Sequence, residues 1–125
     1  MSNLNLPTMT FENIAKKMVG KSTLKLAYAT EAVQGNSTSP IEILHHGNRI
    51  AVLSPENLYV SNCGWDSSTT ANRLRKIMSD NNLGYYVRIR DFGMRLYNDA
   101  HTEVDPAFHS ATFSLEDFSW VWNAA

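Results

Sequence analysis

The residues with the most chemistry to offer are arginines and tyrosines set two apart. Between Tyr85 and Arg90, Tyr86, Arg88 and Arg90 alternate with Tyr85, Val87 and Ile89, and in residues 94–97 Arg95 and Tyr97 alternate with Met94 and Leu96. Two paired strands would gather Tyr86, Arg88, Arg90, Arg95 and Tyr97 on one face, because side chains two apart share a side. Guanidinium forks bind phosphate oxygens, and aromatic rings stack on bases or present an edge to a protein partner. Arg73, followed by Arg75 and Lys76, adds positive charge from a helical segment upstream. These residues form the candidate binding set. The competing interpretation is a solvated sheet face neutralised by acids further along.

Catalytic patterns are weaker. Cys63 is the single cysteine and has no motif around it that would lower its pKa or build an oxyanion hole, so it reads as a small core residue. His45 and His46 are adjacent, and on a strand they would point to opposite faces and not chelate one metal. His101 and His109 flank Glu103 and Asp105 without a recognisable ligand spacing, and no metal or cofactor site follows. Asp91-Phe92-Gly93 reads as a hairpin turn, and the chain has no Gly-rich phosphate loop, zinc-protease pattern or nucleophile elbow. An enzyme is not expected.

The middle of the chain carries a more particular pattern. Gly47-Asn48-Arg49-Ile50-Ala51-Val52, a turn and another strand lead to Gly64-Trp65, then Thr69-Thr70 and Arg73-Leu74. Over roughly residues 21–113 this resembles a family of small domains of unknown function encoded by bacteriophages and mobile elements. Ser67 and Arg75 depart from that family's usual threonine and asparagine. The resemblance implies a phage or plasmid accessory protein and brings no catalytic residues with it. Physically, Trp65 is expected to plug the junction between sheet and helix, with Gly64 allowing the turn, Asp66, Ser67 and Ser68 offering N-cap oxygens, and Thr69 and Thr70 capping or packing in the first helical turn. Arg73 is expected to reach a sheet carbonyl or a carboxylate such as Asp66.

These residues need elements to position them. Thr10 suits an N-cap for a short helix carrying Phe11, Ile14, Ala15 and Met18, ended at Gly20. Residues 24–30 alternate as one strand. Residues 41–45 and 49–53 flank His46-Gly47-Asn48 as a hairpin, and residues 58–61 follow a Pro-containing turn as a third strand. The spacing of Thr70, Leu74, Ile77 and Met78 predicts the main helix over residues 69–79, ended near Gly84. A strand near residues 111–113 is followed by Ser114-Leu115-Glu116-Asp117, which resembles a capping box and predicts a closing helix.

The chain of 125 residues has 43% apolar and 18% charged residues, which suits a domain with one real core and excludes wholesale disorder. The fold class expected is α+β: an antiparallel sheet of five or six strands packed against one main helix, with short terminal helices. Residues 1–9 read as a flexible N-terminus and residues 10–125 as a single domain. No apolar run nears the ~18 residues of a membrane span, and with one cysteine a cytoplasmic, reducing setting fits. Residues 1–97 hold all eleven Lys and Arg against seven acids, while residues 98–125 hold five acids and neither cation. This asymmetry suggests an anionic partner or a tail that covers a basic surface. The functional expectation is a non-enzymatic phage-type accessory protein that binds and modulates a host protein. The alternative is a nucleic-acid or nucleotide-ligand module using the Arg/Tyr face.

Overall fold

The computed structural model describes residues 6–36, 38–117 and 120–122, with the last three described as backbone only. Helix α1 (Phe11–Lys17) starts at Thr10, whose hydroxyl accepts from the amide of Asn13. It buries Ile14 on the core side. Of the segment read as flexible, Leu6 and Met9 are buried, and Met9 is tied at both backbone groups: its amide donates to Asp80 and its carbonyl accepts from Asn81.

Strands β1 (Thr23–Ala27), β2 (Thr30–Val33), β3 (Ile41–His45), β4 (Asn48–Leu53) and β5 (Asn57–Ser61) form an antiparallel meander. The single strand expected over residues 24–30 is therefore a hairpin. Its turn is Tyr28-Ala29, with Ala29 at φ +54. No glycine, asparagine or proline marks that turn, and the alternation runs through it unbroken.

After β5 the chain leaves this sheet for helix α2 (Ser68–Asp80), whose N-cap is Ser67, and for strands β6 (Tyr85–Arg90), β7 (Gly93–Asn98) and β8 (Glu103–Asp105). It returns as β9 (Ser110–Ser114), which pairs with β5, and β10 (Trp120–Trp122) completes the edge. The result is a seven-stranded sheet in the order β1-β2-β3-β4-β5-β9-β10 and a separate three-stranded sheet β6-β7-β8, with every pairing antiparallel. The antiparallel α+β class holds, while the expected sheet of five or six strands is replaced by these two. The expected closing helix is a turn over residues 115–117 followed by β10, and the Ser114 hydroxyl accepts from the amide of Glu116 within that turn.

One face of the large sheet is apolar in register: Ala32, Ile43 and Ala51 stand side by side, as do Ile41, Leu53, Leu58 and Phe113. Leu74, Ile77 and Met78 of α2 and Ile14 of α1 join them in one buried cluster. The pairing of β3 with β4 slips between Ile43 and Leu44, so that Ile50 has no partner of its own. Such a bulge bends the strand and redirects a side chain. Ile50 and Ala51 are consecutive and both buried.

Candidate functional site

Strand direction decides which turns meet. The turn of the β1–β2 hairpin, the turn of β3–β4, and the C-terminal end of β5 all lie at one end of the large sheet, because neighbouring strands run oppositely. The loop from Asn62 to Ser67 and the N-terminus of α2 follow directly from that end. The β6–β7 turn is brought to the same place by Asp66, whose carboxylate accepts from the amide of Met94 at 3.3 Å.

This end carries most of the exposed large apolar side chains of the described residues. Trp65 is 60% exposed, Tyr28 78% and Phe92 97%; only Val19 lies elsewhere. The expectation that Trp65 plugs the sheet–helix junction is thus corrected. The loop is held instead by Asn62, which donates to the carbonyl of Phe108 and to Asp66 and accepts from the amide of Gly64. With Cys63 at φ +53 and Gly64 at φ +80, the chain turns outward and carries the indole with it. Phe92 sits at φ +64 after Asp91 at φ +52, a type of turn that favours asparagine and glycine. Neither backbone preference nor packing favours a phenylalanine there.

Beside Trp65 lies a cleft of about 250 Å³ lined by His45, His46, Asn48, Ile50, Ser67, Thr69 and Thr70. The histidines are not split across a strand as the alternation suggested. His46 adopts φ +50 as the first residue of the turn, and its ring lies 4.4 Å from that of His45 and edge-on to Tyr28 at 6.1 Å. His45 is buried and its pKa is lowered, first by burial and then by the nearby Arg73 cation.

Arg73 lies beneath this region and not with the hairpin arginines. Its Nε donates to Thr30 Oγ1 at 2.7 Å, Nη1 to the Thr69 carbonyl at 3.0 Å and Nη2 to the Tyr28 carbonyl at 3.1 Å. It is only 7% exposed. The expectation of a sheet carbonyl as its acceptor is met at Tyr28, in the turn between β1 and β2. Asp66 is engaged with Asn62 and Met94.

The β6–β7 hairpin brings the other candidates together in the expected register, with Arg88 opposite Arg95 and Tyr86 opposite Tyr97. Their surroundings differ from one another. Arg95 is bonded to Glu103 at 2.9 Å and lies 3.4 Å from Asp91, and its pKa is raised, chiefly by the Glu103 bond. Tyr97 is buried under Tyr86, whose ring stacks on it at 5.4 Å and whose hydroxyl meets His101 Nδ1 at 2.9 Å. Arg88 and Arg90 are exposed. Arg75 donates to the Val87 carbonyl, and its pKa is lowered by burial and by the neighbouring Arg88.

Cys63 is half-buried, and its thiol donates to the Arg49 carbonyl at 2.8 Å. Among the described residues, no group of three or more His, Cys, Asp or Glu side chains is placed to hold a metal ion. No helix among them is long and apolar enough to cross a membrane. Sequence reasoning missed the cleft because its walls come from the β3–β4 hairpin, the loop before α2 and the start of α2, segments distant in sequence. The available signal was the placement of aromatic residues within turns, at Tyr28, Trp65 and Phe92.

Neither a curated protein nor a solved structure matches the chain. A family model described as the Kyanoviridae Gp96 protein matches residues 9–121. That span takes in both helices, all the strands of the small sheet and the whole aromatic end, and the chain belongs to this family of phage proteins.

Proposed function

We propose that this phage protein is a non-enzymatic accessory factor that binds and modulates a host protein in the host cytoplasm, through the end bearing Tyr28, His46, Trp65 and Phe92. The observation that carries this reading is the exposure of Trp65 and Phe92 at one end of the large sheet. Exposed tryptophan and neighbouring aromatics beside a cleft are the composition of energetic centres in protein–protein contacts. The left-handed backbone of Phe92 adds weight, because strain of this kind persists where a side chain has a task. A second reading, a nucleic-acid or nucleotide-ligand module, rests on Arg88, Arg90 and Arg75. It is the weaker one, because Arg95 is paired with acids and Tyr97 is covered.

The test is retention of a partner from host lysate on immobilised protein, with and without nuclease. The expected partner survives nuclease, is lost with Trp65→Ala or Phe92→Ala, and is kept by the double variant Arg88→Gln/Arg90→Gln. The opposite pattern would establish the nucleic-acid reading.

A further inference from the structure

Arg73 is a cation in the interior whose acceptors are neutral: one hydroxyl and two carbonyls. Among the described residues it makes no ion pair. Its pKa is lowered, and burial is the cause. A buried charge without a counter-charge is costly, and an anion nearby relieves that cost.

The cleft above it has the complementary features. Helix α2 is 13 residues long, begins at the cleft wall and has no acidic residue in its first turn. The amides of Ser68 and Thr69 belong to that first turn and have no acceptor within the helix. The positive end of the helix dipole therefore faces this region without an internal carboxylate.

His45 supplies an independent observation. It is 5% exposed, lines the cleft, and its Nε2 has no hydrogen-bond partner. The tautomer is set by its neighbours. The Thr30 hydroxyl donates to the Tyr28 carbonyl, so His45 Nδ1 is the donor, towards the Ala29 carbonyl at 3.3 Å. In the neutral ring this leaves Nε2 as a buried lone pair with nothing to accept from.

We propose that the cleft beside Trp65 is an oxyanion-binding site, which holds a phosphate or carboxylate group against the first turn of α2, above Arg73 and next to His45. The inference goes beyond the recognition reading and stands without it. A free phosphate and an acidic side chain would offer the same anionic oxygens. A hydrogen phosphate brings its own proton to His45 Nε2. A carboxylate requires that nitrogen to be protonated first and then to donate. In the carboxylate case binding and protonation of His45 support each other, so affinity rises as pH falls. The charged and titratable groups around His45 are Arg73 from α2 and His46 from the β3–β4 turn.

The experiment is an NMR titration of the full chain with inorganic phosphate and, separately, with acetate, at constant ionic strength against chloride. The expected result is a saturable shift confined to the Ser68 and Thr69 amides, the Trp65 indole and the His45 ring. The arm that saturates identifies the anion source. Thr69→Glu places a carboxylate at the exposed helix start, and is expected to weaken phosphate binding about tenfold or more while preserving the fold. A second readout needs no variant: where acetate is the arm that saturates, it is expected to raise the His45 pKa. Shifts that do not saturate or that fall at the lysines of α1 and β1, or acetate saturation that leaves the His45 titration unchanged, would overturn the proposal. So would an undiminished phosphate response in a folded Thr69→Glu protein.

Discussion

The Arg/Tyr hairpin and the Trp65 end invert the roles that residue type suggests. On β6 and β7, cations and aromatics that alternate like a binding face are held by each other and by acids: Arg95 by Glu103 and Asp91, Tyr97 by the Tyr86 ring. At the other region, a tryptophan that looks structural is exposed, and an arginine that looks like a binding residue is interior. Alternation tells which side of a strand a group occupies. It does not tell whether another strand has already neutralised that side, and here β8 does so with Glu103.

The contrast is broken most directly at Arg73. Arg73→Met is expected to lower stability by about 2–4 kcal/mol, because it removes three charge-assisted hydrogen bonds and leaves the Tyr28 carbonyl and Thr30 hydroxyl short of a donor. Urea denaturation measures this. A loss below about 1 kcal/mol would return Arg73 to the exposed binding set.

Trp65→Ala sharpens the comparison from the other direction. Stability is expected to stay within about 1 kcal/mol of the parent, whereas partner affinity falls by about 2 kcal/mol or more. Thermal melting combined with a binding titration separates the two quantities. A large drop in melting temperature would show the indole to be part of the core.

A smaller effect comes from the acidic strand beside the hairpin. Asp105 is fully buried, its Oδ2 has no partner, and its pKa is raised by burial, against the opposing bond from the Ala107 amide. The folded protein therefore binds a proton at Asp105 more readily than the unfolded chain. Its destabilising contribution is complete above the folded pKa and fades as pH falls through that value toward 3.8. Asp105→Asn is expected to raise stability at neutral pH by about 1 kcal/mol, with the gain vanishing in acid. Denaturation curves at pH 7 and pH 4 test it, and an equal gain at both pH values would remove ionisation as the cause. The smallest effect is expected for Arg88→Gln with Arg90→Gln, exposed changes that leave stability within about 0.5 kcal/mol.

The elements with strong periodicity were legible in the sequence. Helix α2 follows from Thr70, Leu74, Ile77 and Met78, and both the β3–β4 and β6–β7 hairpins follow from alternation around a turn. The β1–β2 turn was not, because Tyr28 and Ala29 carry none of the usual turn chemistry and the apolar alternation continues across them. The division into two sheets was hidden for another reason. The pairing of β5 with β9 joins segments separated by a helix and three strands, and nothing local encodes it. The site was half legible: Gly64-Trp65 and the helix cap stood out as a unit, but the direction of the indole depends on the left-handed Cys63 and on the anchoring of Asn62. Short-range rules do not reach either one.

The anchoring of Asn62 has a kinetic consequence. Its side chain holds the Phe108 carbonyl across a separation of 46 residues, at the point where α2 and the small sheet leave the large one and return to it. Everything between those two positions can assemble from contacts near in sequence, whereas the β5–β9 ladder must wait until that long excursion has brought its ends together. Loop-closure entropy rises only slowly with length, so a compact excursion lowers this barrier more than a short one that stays disordered. The small sheet is therefore expected to form ahead of the final strand pairing, and hydrogen exchange during refolding should protect β6 and β7 before β9.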